Sequence, residues 1–379
     1  MKERGITTIT LKKINKEKVY QYIYRKKITS KQQIVQELQM GLSTVSQNLN
    51  VLEQEGLIER KGNFDSTGGR KAQAIQIVPD VKIAIGVGIL KDMFHIAAVN
   101  LYGEAIRKDT FSIPYRNTEE YYQQVTDEIK EFIAQNHYAE DKILGVSIAI
   151  QGIISPDGSA VTYGAILNNA EMKLSDYADR LPYPSRLEHD SKAAAYLELW
   201  NHNELDSAVV FLLNRNLGGA VITNHCVHQG MSMHSGTLEH MCINHEGPLC
   251  YCGNRGCLET YCSANALEAA AAMPVRDFFE KLRTEKSPAF SQIWKDYLEH
   301  LAFAMKNLNM VVDSPIIISG YLAPYFAEED ILYLLDCINH SAPFQMNREQ
   351  ILVGTHGQYT PAIGAALFYV EEFIRKEVI

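Results

Sequence analysis

His240, Cys250, Cys252 and Cys257 form the pattern H-x9-C-x-C-x4-C, and no other stretch restricts the folding of this chain so tightly. A structural Zn²⁺ takes thiolate sulfur and imidazole nitrogen in a closed tetrahedron. Three thiolates and one imidazole within eighteen residues meet that demand. Gly253 and Gly256 stand where such a knuckle must turn. The expected cofactor is therefore structural Zn²⁺. A lone cysteine often behaves as a small core hydrophobe, but the set fits a metal; Cys226, Cys242, Cys262 and Cys337 lie outside the pattern and are read as ordinary thiols. His225, His228, His234 and His245 crowd the same region without the ligand spacing. A zinc hydrolase needs an open metal position for water, and four protein ligands leave none.

Seven cysteines, four of them in a metal pattern, argue against a disulfide framework and for a reducing compartment, here the cytoplasm. No apolar run reaches the roughly 18 residues of a membrane span. The start, Met1-Lys-Glu-Arg-Gly-Ile-Thr, is too polar for a secretory signal. A length of 379 residues suggests two or three domains. Charge is uneven: residues 1–80 hold 14 basic and 8 acidic side chains (+6), and the remaining 299 hold 22 and 37 (−15), which sum to the whole chain's −9. A basic segment on an acidic body points to a polyanion as its partner.

That segment has helical spacing. Leu11 to Arg25 places Ile14, Val19 and Ile23 on one face. Ser30-x-x-Gln33 has the form of a capping box, opening a second helix that buries Ile34, Val35 and Leu38. A third helix, Leu42 to Gln54, buries Val45, Leu49 and Leu52 and stops at Gly56. The spacing makes Gly41 its cap and Met40 a buried residue. Its other face carries Ser43, Thr44, Ser46, Gln47 and Asn50, short polar groups suited to phosphates and base edges. Two helices with a tight turn between them, the second polar on one face, make a helix-turn-helix. Leu57–Gly62 and Ala74–Val78 read as two wing strands. In the tip between them Gly68 and Gly69 allow close backbone approach to DNA, and Arg70 and Lys71 supply charge.

Beyond Pro79 strands alternate with helices, which implies an α/β body. Strands are expected at Ile83–Ile89, Phe94–Val99, Glu104–Thr110, Lys142–Ile150, Val209–Leu213, Ala220–Thr223 and Pro315–Gly320. Helices are expected over Thr118–Gln135 and from Pro361. In this setting Gly236, His240, Cys250, Cys252, Gly253, Gly256, Cys257 and Glu259 reproduce the motif G-x-x-G-H … C-x-C-G-x-x-G-C-x-E. The chain resembles the ROK family (repressors, open reading frames and sugar kinases). Ser66, Gly68, Gly69 and Arg70 match the S-x-G-G-R wing of its transcriptional-repressor branch. The resemblance covers nearly the whole chain. It implies a winged helix-turn-helix over residues 1–79 and a two-lobed, actin-like, sugar-kinase-like body with a zinc knuckle. The first lobe would span 80–195 with 360–379, and the second 196–359. A sugar would bind between the lobes, in a homodimer or homotetramer.

The resemblance also marks what has decayed. Where the family's kinases carry D-x-G-G-T, this chain has Gly86-Val-Gly88-Ile89-Leu90-Lys91. Where they carry G-T-G-x-G, it has Asn214-Arg215-Asn216-Leu217-Gly218. Of the adenosine-side glycine pair only Gly320 remains, before Tyr321. A phosphoryl-transfer enzyme needs all these parts at once, so no kinase activity is expected. The sugar side is better kept: Glu188-His189-Asp190 stand for E-N-D, and His240 and Glu259 match further sugar contacts. Thr237 replaces a sugar-contacting glutamate, and Glu239 replaces a glycine. Taken alone, Asp190 could instead cap a helix and Glu259 could be a surface acid. The expectation is a DNA-binding repressor of carbohydrate-metabolism genes, modulated by a sugar; its rival is a sugar kinase with an appended DNA-binding domain.

Overall fold

The computed structural model describes residues 8–64, 72–285 and 287–376. The expected wing-tip residues Ser66, Gly68, Gly69, Arg70 and Lys71 lie outside them. The N-terminal unit is α1 (Thr8–Lys26), α2 (Lys31–Leu38), α3 (Leu42–Gln54) and the strands β1 (Ile58–Asn63) and β2 (Gln73–Ile77). Its local signals act as the sequence implies. Ser30 Oγ accepts from Gln33 N–H at 3.3 Å, and Gln33 Oε1 accepts from Ser30 N–H at 2.9 Å, so the capping box closes. Gly41 is the cap of α3, and Val45, Leu49 and Leu52 are buried beneath it. β1 and β2 pair antiparallel with Ile58 opposite Ile77. Thr29, before α2, exchanges two backbone hydrogen bonds with Ile75, which ties the helices to the hairpin.

The body opens with β3 (Ile83–Ile89), β4 (Phe94–Asn100), β5 (Ala105–Phe111), α4 (Glu119–Gln135) and β6 (Ile143–Ile150). A small hairpin, β7 (Ile153–Ile154) and β8 (Val161–Tyr163), and a turn of helix, α5 (Ser175–Ala178), lead to β9 (Ser185–His189) and α6 (Asp190–Asn201). The second half holds β10 (Ala208–Leu212), β11 (Gly218–Thr223), β12 (Cys226–Val227), α7 (Glu259–Cys262), α8 (Ala264–Ala271), α9 (Val275–Thr284) and α10 (Pro288–Val312). It ends with β13 (Ile316–Ser319), α11 (Glu328–Ser341), β14 (Ile351–Val353) and α12 (Thr360–Lys376). Two five-stranded sheets, β5-β4-β3-β6-β9 and β12-β11-β10-β13-β14, repeat one plan. Each has three antiparallel strands followed by two in parallel.

α6 and α12 cross at van der Waals distance because glycines remove the side chains between them and β3. A Cβ on Gly364 would lie 1.8 Å from Ala193 O, and one on Gly86 would lie 1.8 Å from Ala362 O. Gly86, first read only as a remnant of a phosphate loop, is thus required for packing α12 onto β3. The expected boundary at residue 195 falls inside α6, because Asp190–Asn201 forms one helix. The N-terminal unit shares a core with the first sheet: Val19, Ile23, Leu52 and Ile77 belong to one cluster with Ala97, Leu101, Ile363 and Leu367.

His95, on β4, is buried, with Nδ1 2.8 Å from Thr110 Oγ1. Burial lowers its pKa from the usual 6.5 to about 4. Between those values the unfolded chain binds a proton that the native state refuses, so stability falls as pH drops through the window. The slope is at most about 1.4 kcal/mol per pH unit. Urea unfolding from pH 7 to pH 4 is expected to show a shallower loss in His95→Gln than in the wild type; parallel curves would remove His95 as a cause.

Candidate effector cavity and metal site

The knuckle is built by short turns. Leu238–His240 forms a 3-10 turn, and Cys250–Cys257 folds back with Gly253 and Gly256 at φ of 89° and 69°. Gly256 has a second reason: a Cβ there would lie 1.5 Å from Asn244 O. The ligand atoms of His240, Cys250, Cys252 and Cys257 all lie within 4.8 Å of one another. Cys252 Sγ and Cys257 Sγ are 3.7 Å apart, and Cys250 Sγ is 3.8 Å from His240 Nδ1. A tetrahedron with metal–sulfur bonds of about 2.3 Å spaces its sulfurs about 3.8 Å apart, so the donor set fits Zn²⁺. Burial and the neighbouring sulfurs push the Cys257 thiol up to about 12. Thiolates packed this closely call for a cation among them.

Beside the knuckle lies a cavity of about 570 Å³, within the size range of small-molecule sites. Gln151, His189, Asp190, Glu239, His240, Tyr251 and Asn254 line it, with Tyr163 and Ile166 opposite. Asp190 is the first residue of α6 rather than its cap, a position held by His189. Asp190 Oδ1 accepts from Ser191 N–H at 2.7 Å. Burial raises the Asp190 pKa and lowers that of His189. His189 Nδ1 is buried without a hydrogen-bond partner.

Two expected effector residues stand elsewhere. Glu188 is paired with Arg186, two residues back on β9, and strand alternation turns that face away from His189. Glu259 is buried, not a surface acid, but its carboxylate is consumed: Oε1 accepts from Asn216 Nδ2 at 2.7 Å and Oε2 from Leu217 N–H at 2.6 Å. Neither lines the cavity.

Glu239 is the residue the sequence concealed. It occupies a motif position expected to be glycine, so it read as a loss. Its carboxyl faces the cavity, and burial pushes its pKa up to about 8, with Asp190 and Glu259 adding to the rise. The only available signal was an acid immediately before a histidine of the candidate metal set.

The stretches in the positions of the kinases' phosphate loops carry side chains bonded to their neighbours. Asn214 Oδ1 accepts from Tyr321 N–H at 3.1 Å, and Arg215 pairs with Glu268 at 2.8 Å. A small pocket of about 40 Å³ lies between Leu90–Met93 and Arg215–Asn216.

In the expected DNA-reading helix, Ser43, Gln47 and Asn50 are exposed, and Thr44 and Ser46 are half-buried. Ser46 Oγ donates to Leu42 O at 2.8 Å. Asn50 Oδ1 accepts from Arg60 of β1 at 3.0 Å, and Arg60 also pairs with Glu53 at 3.0 Å.

Two lobes with one strand plan, a cavity beside a His/Cys cluster that could hold a metal and an N-terminal helix-turn-helix define a regulator-type protein on a sugar-kinase-like body. The chain belongs to the ROK family, which it matches over residues 83–372. It is 25% identical over 351 residues to the xylose repressor of Caldicellulosiruptor bescii, covering 87% of this chain and 88% of that one. A crystal structure of a ROK family transcriptional regulator, a homologue of the E. coli MLC protein, superposes with a TM-score of 0.72 at 17% identity, over 97% of this chain and 98% of that one. A ROK family glucokinase from Streptomyces griseus, in complex with glucose and AMPPNP, superposes with a TM-score of 0.64 at 19% identity, over 76% of this chain and 98% of that one.

Proposed function

We propose that the protein is a sugar-responsive, DNA-binding transcriptional repressor of carbohydrate-metabolism genes. The observation that carries this reading is one helix, α6, that runs from the cavity to residues packed on the N-terminal unit. The N-terminus of α6 presents Asp190 to the cavity. About 15 Å along the same helix, Trp200 Nε1 donates to Tyr102 O at 3.2 Å. The Tyr102 ring packs 5.5 Å from that of Tyr24 on α1, whose hydroxyl donates to Leu101 O at 3.0 Å. A sugar that prefers one arrangement of the lobes then biases the helix-turn-helix. It can do so only by its differential affinity for the two arrangements.

In this reading Ser43, Thr44, Ser46, Gln47 and Asn50 meet the major groove, and Gly68, Gly69, Arg70 and Lys71 meet the backbone beside it. A homodimer sets two such helices in successive grooves of an operator. Asp190, His189 and Glu239 hold the sugar, and His240 joins the cavity to a structural Zn²⁺. The altered phosphate loops favour a regulator over a kinase, and incubation with ATP and a sugar panel is expected to yield no sugar phosphate. The reduced thiols that ligate the metal suit the cytoplasm.

The DNA half is tested by anisotropy titrations on the gene's own upstream DNA at several salt concentrations. Arg70→Ala is expected to weaken binding uniformly across sequences and lower the salt slope by about 1. An unchanged affinity and slope would remove the wing from the interface.

A further inference from the structure

We propose that the cavity accepts an unphosphorylated sugar and that Glu239 is a specificity-determining residue for it. The inference rests on the effector reading above and extends it to ligand class. Among the residues that line the cavity are two carboxylates, Asp190 and Glu239, and no lysine or arginine. A phosphate monoester brings a charge of about −1.5 to −2 at neutral pH and is held by cationic or N–H donors. Here it would face two acids without a cation of its own. A neutral sugar instead offers a ring of hydroxyl donors, which is what acceptors of this kind lack.

Two buried side-chain atoms on the lining make no hydrogen bond, Glu239 Oε2 and His189 Nδ1, the second lying 3.6 Å from Asp190 Oδ1. They come from different halves of the fold, His189 from the end of β9 and Glu239 from the turn before the knuckle. Glu239 is held on both sides. Leu238 packs on β11 so tightly that a Cβ on Gly219 would lie 2.4 Å from its side chain. His240 is a member of the metal-ligand cluster. The Glu239 carboxyl is thus fixed in the cavity wall with one oxygen unmet. A sugar with one hydroxyl on Glu239 and another at the His189–Asp190 corner engages both and draws the two halves together. Thr237 does not compete for this role, because its hydroxyl donates to His234 O at 3.2 Å.

The test is calorimetric titration of the full-length, metal-loaded protein with xylose, glucose, N-acetylglucosamine, glucose 6-phosphate and N-acetylglucosamine 6-phosphate. At least one unphosphorylated probe is expected to bind, with any matching 6-phosphate at least about tenfold weaker. Glu239→Gln, which replaces the carboxyl by an amide, is expected to weaken that binding by about tenfold or more. Glu239→Asp is expected to fall between the two. Metal content and thermal midpoint, measured on each variant, separate lost recognition from lost folding. A 6-phosphate that binds as tightly as its parent sugar, or a folded Glu239→Gln with undiminished affinity, overturns this inference and leaves the effector reading standing. If none of the probes binds, the inference and the effector reading fall together, while DNA binding is untouched.

Discussion

Removal of the metal with a chelator at neutral pH is expected to unfold the second half of the body. His240 and the three cysteines tie the Leu238–His240 turn to the Cys250–Cys257 loop, and little else in that stretch is helix or sheet. Structural zinc sites carry apparent binding free energies of about 10–16 kcal/mol, comparable to the whole stability of a domain, about 5–15 kcal/mol. Even partial recovery by the apo chain leaves a loss of several kcal/mol, a fall in the thermal midpoint of roughly 10 °C or more. Cys252→Ser is expected to reproduce much of this loss. One zinc per chain, released in step with the fall in midpoint, is the predicted reading. A midpoint indifferent to chelation would make the four side chains a cluster of ordinary buried groups.

The second large effect concerns coupling. Trp200→Phe removes the hydrogen bond to Tyr102 O while keeping an aromatic ring over Gly103, and Tyr24→Phe removes the bond to Leu101 O. Neither residue lines the cavity or lies on α3. The double variant is therefore expected to keep both its sugar affinity and its DNA affinity without sugar. What should collapse is the ratio of DNA affinities with and without sugar, which for allosteric proteins is commonly about 5–150-fold. Anisotropy titrations on the wild type and the double variant, each with and without saturating sugar, measure it. An intact ratio would show that the signal travels by another route.

How much of this was legible in the sequence depended on whether a residue's role is local. Ser30 with Gln33, Gly41 before α3, and the apolar spacing of Val45, Leu49 and Leu52 are decided within one or two turns of chain, and the structure agrees with them. The metal set is local too, and its four ligands converge. Direction of side chains across the fold was not legible. Glu188 and His189 are neighbours in sequence yet face opposite sides of β9, and only His189 reaches the cavity. Glu259 has the register of a ligand contact, but the nearby N–H of Leu217 and amide of Asn216 claim it. Glu239 was hidden for the opposite reason: a departure from a motif reads as something missing, and only the cavity shows what it adds. Gly86 and Gly364 likewise depend on how closely α12 approaches β3 and α6, a tertiary fact with no local sign.

The most direct measurement is the affinity of the purified, metal-loaded protein for its own upstream DNA at one fixed salt concentration, with and without each member of a panel of sugars. The account predicts tight, sequence-dependent binding that one unphosphorylated sugar changes several-fold or more. DNA binding that no sugar alters would contradict the claim that the cavity governs the helix-turn-helix, and absence of specific DNA binding would contradict the repressor itself.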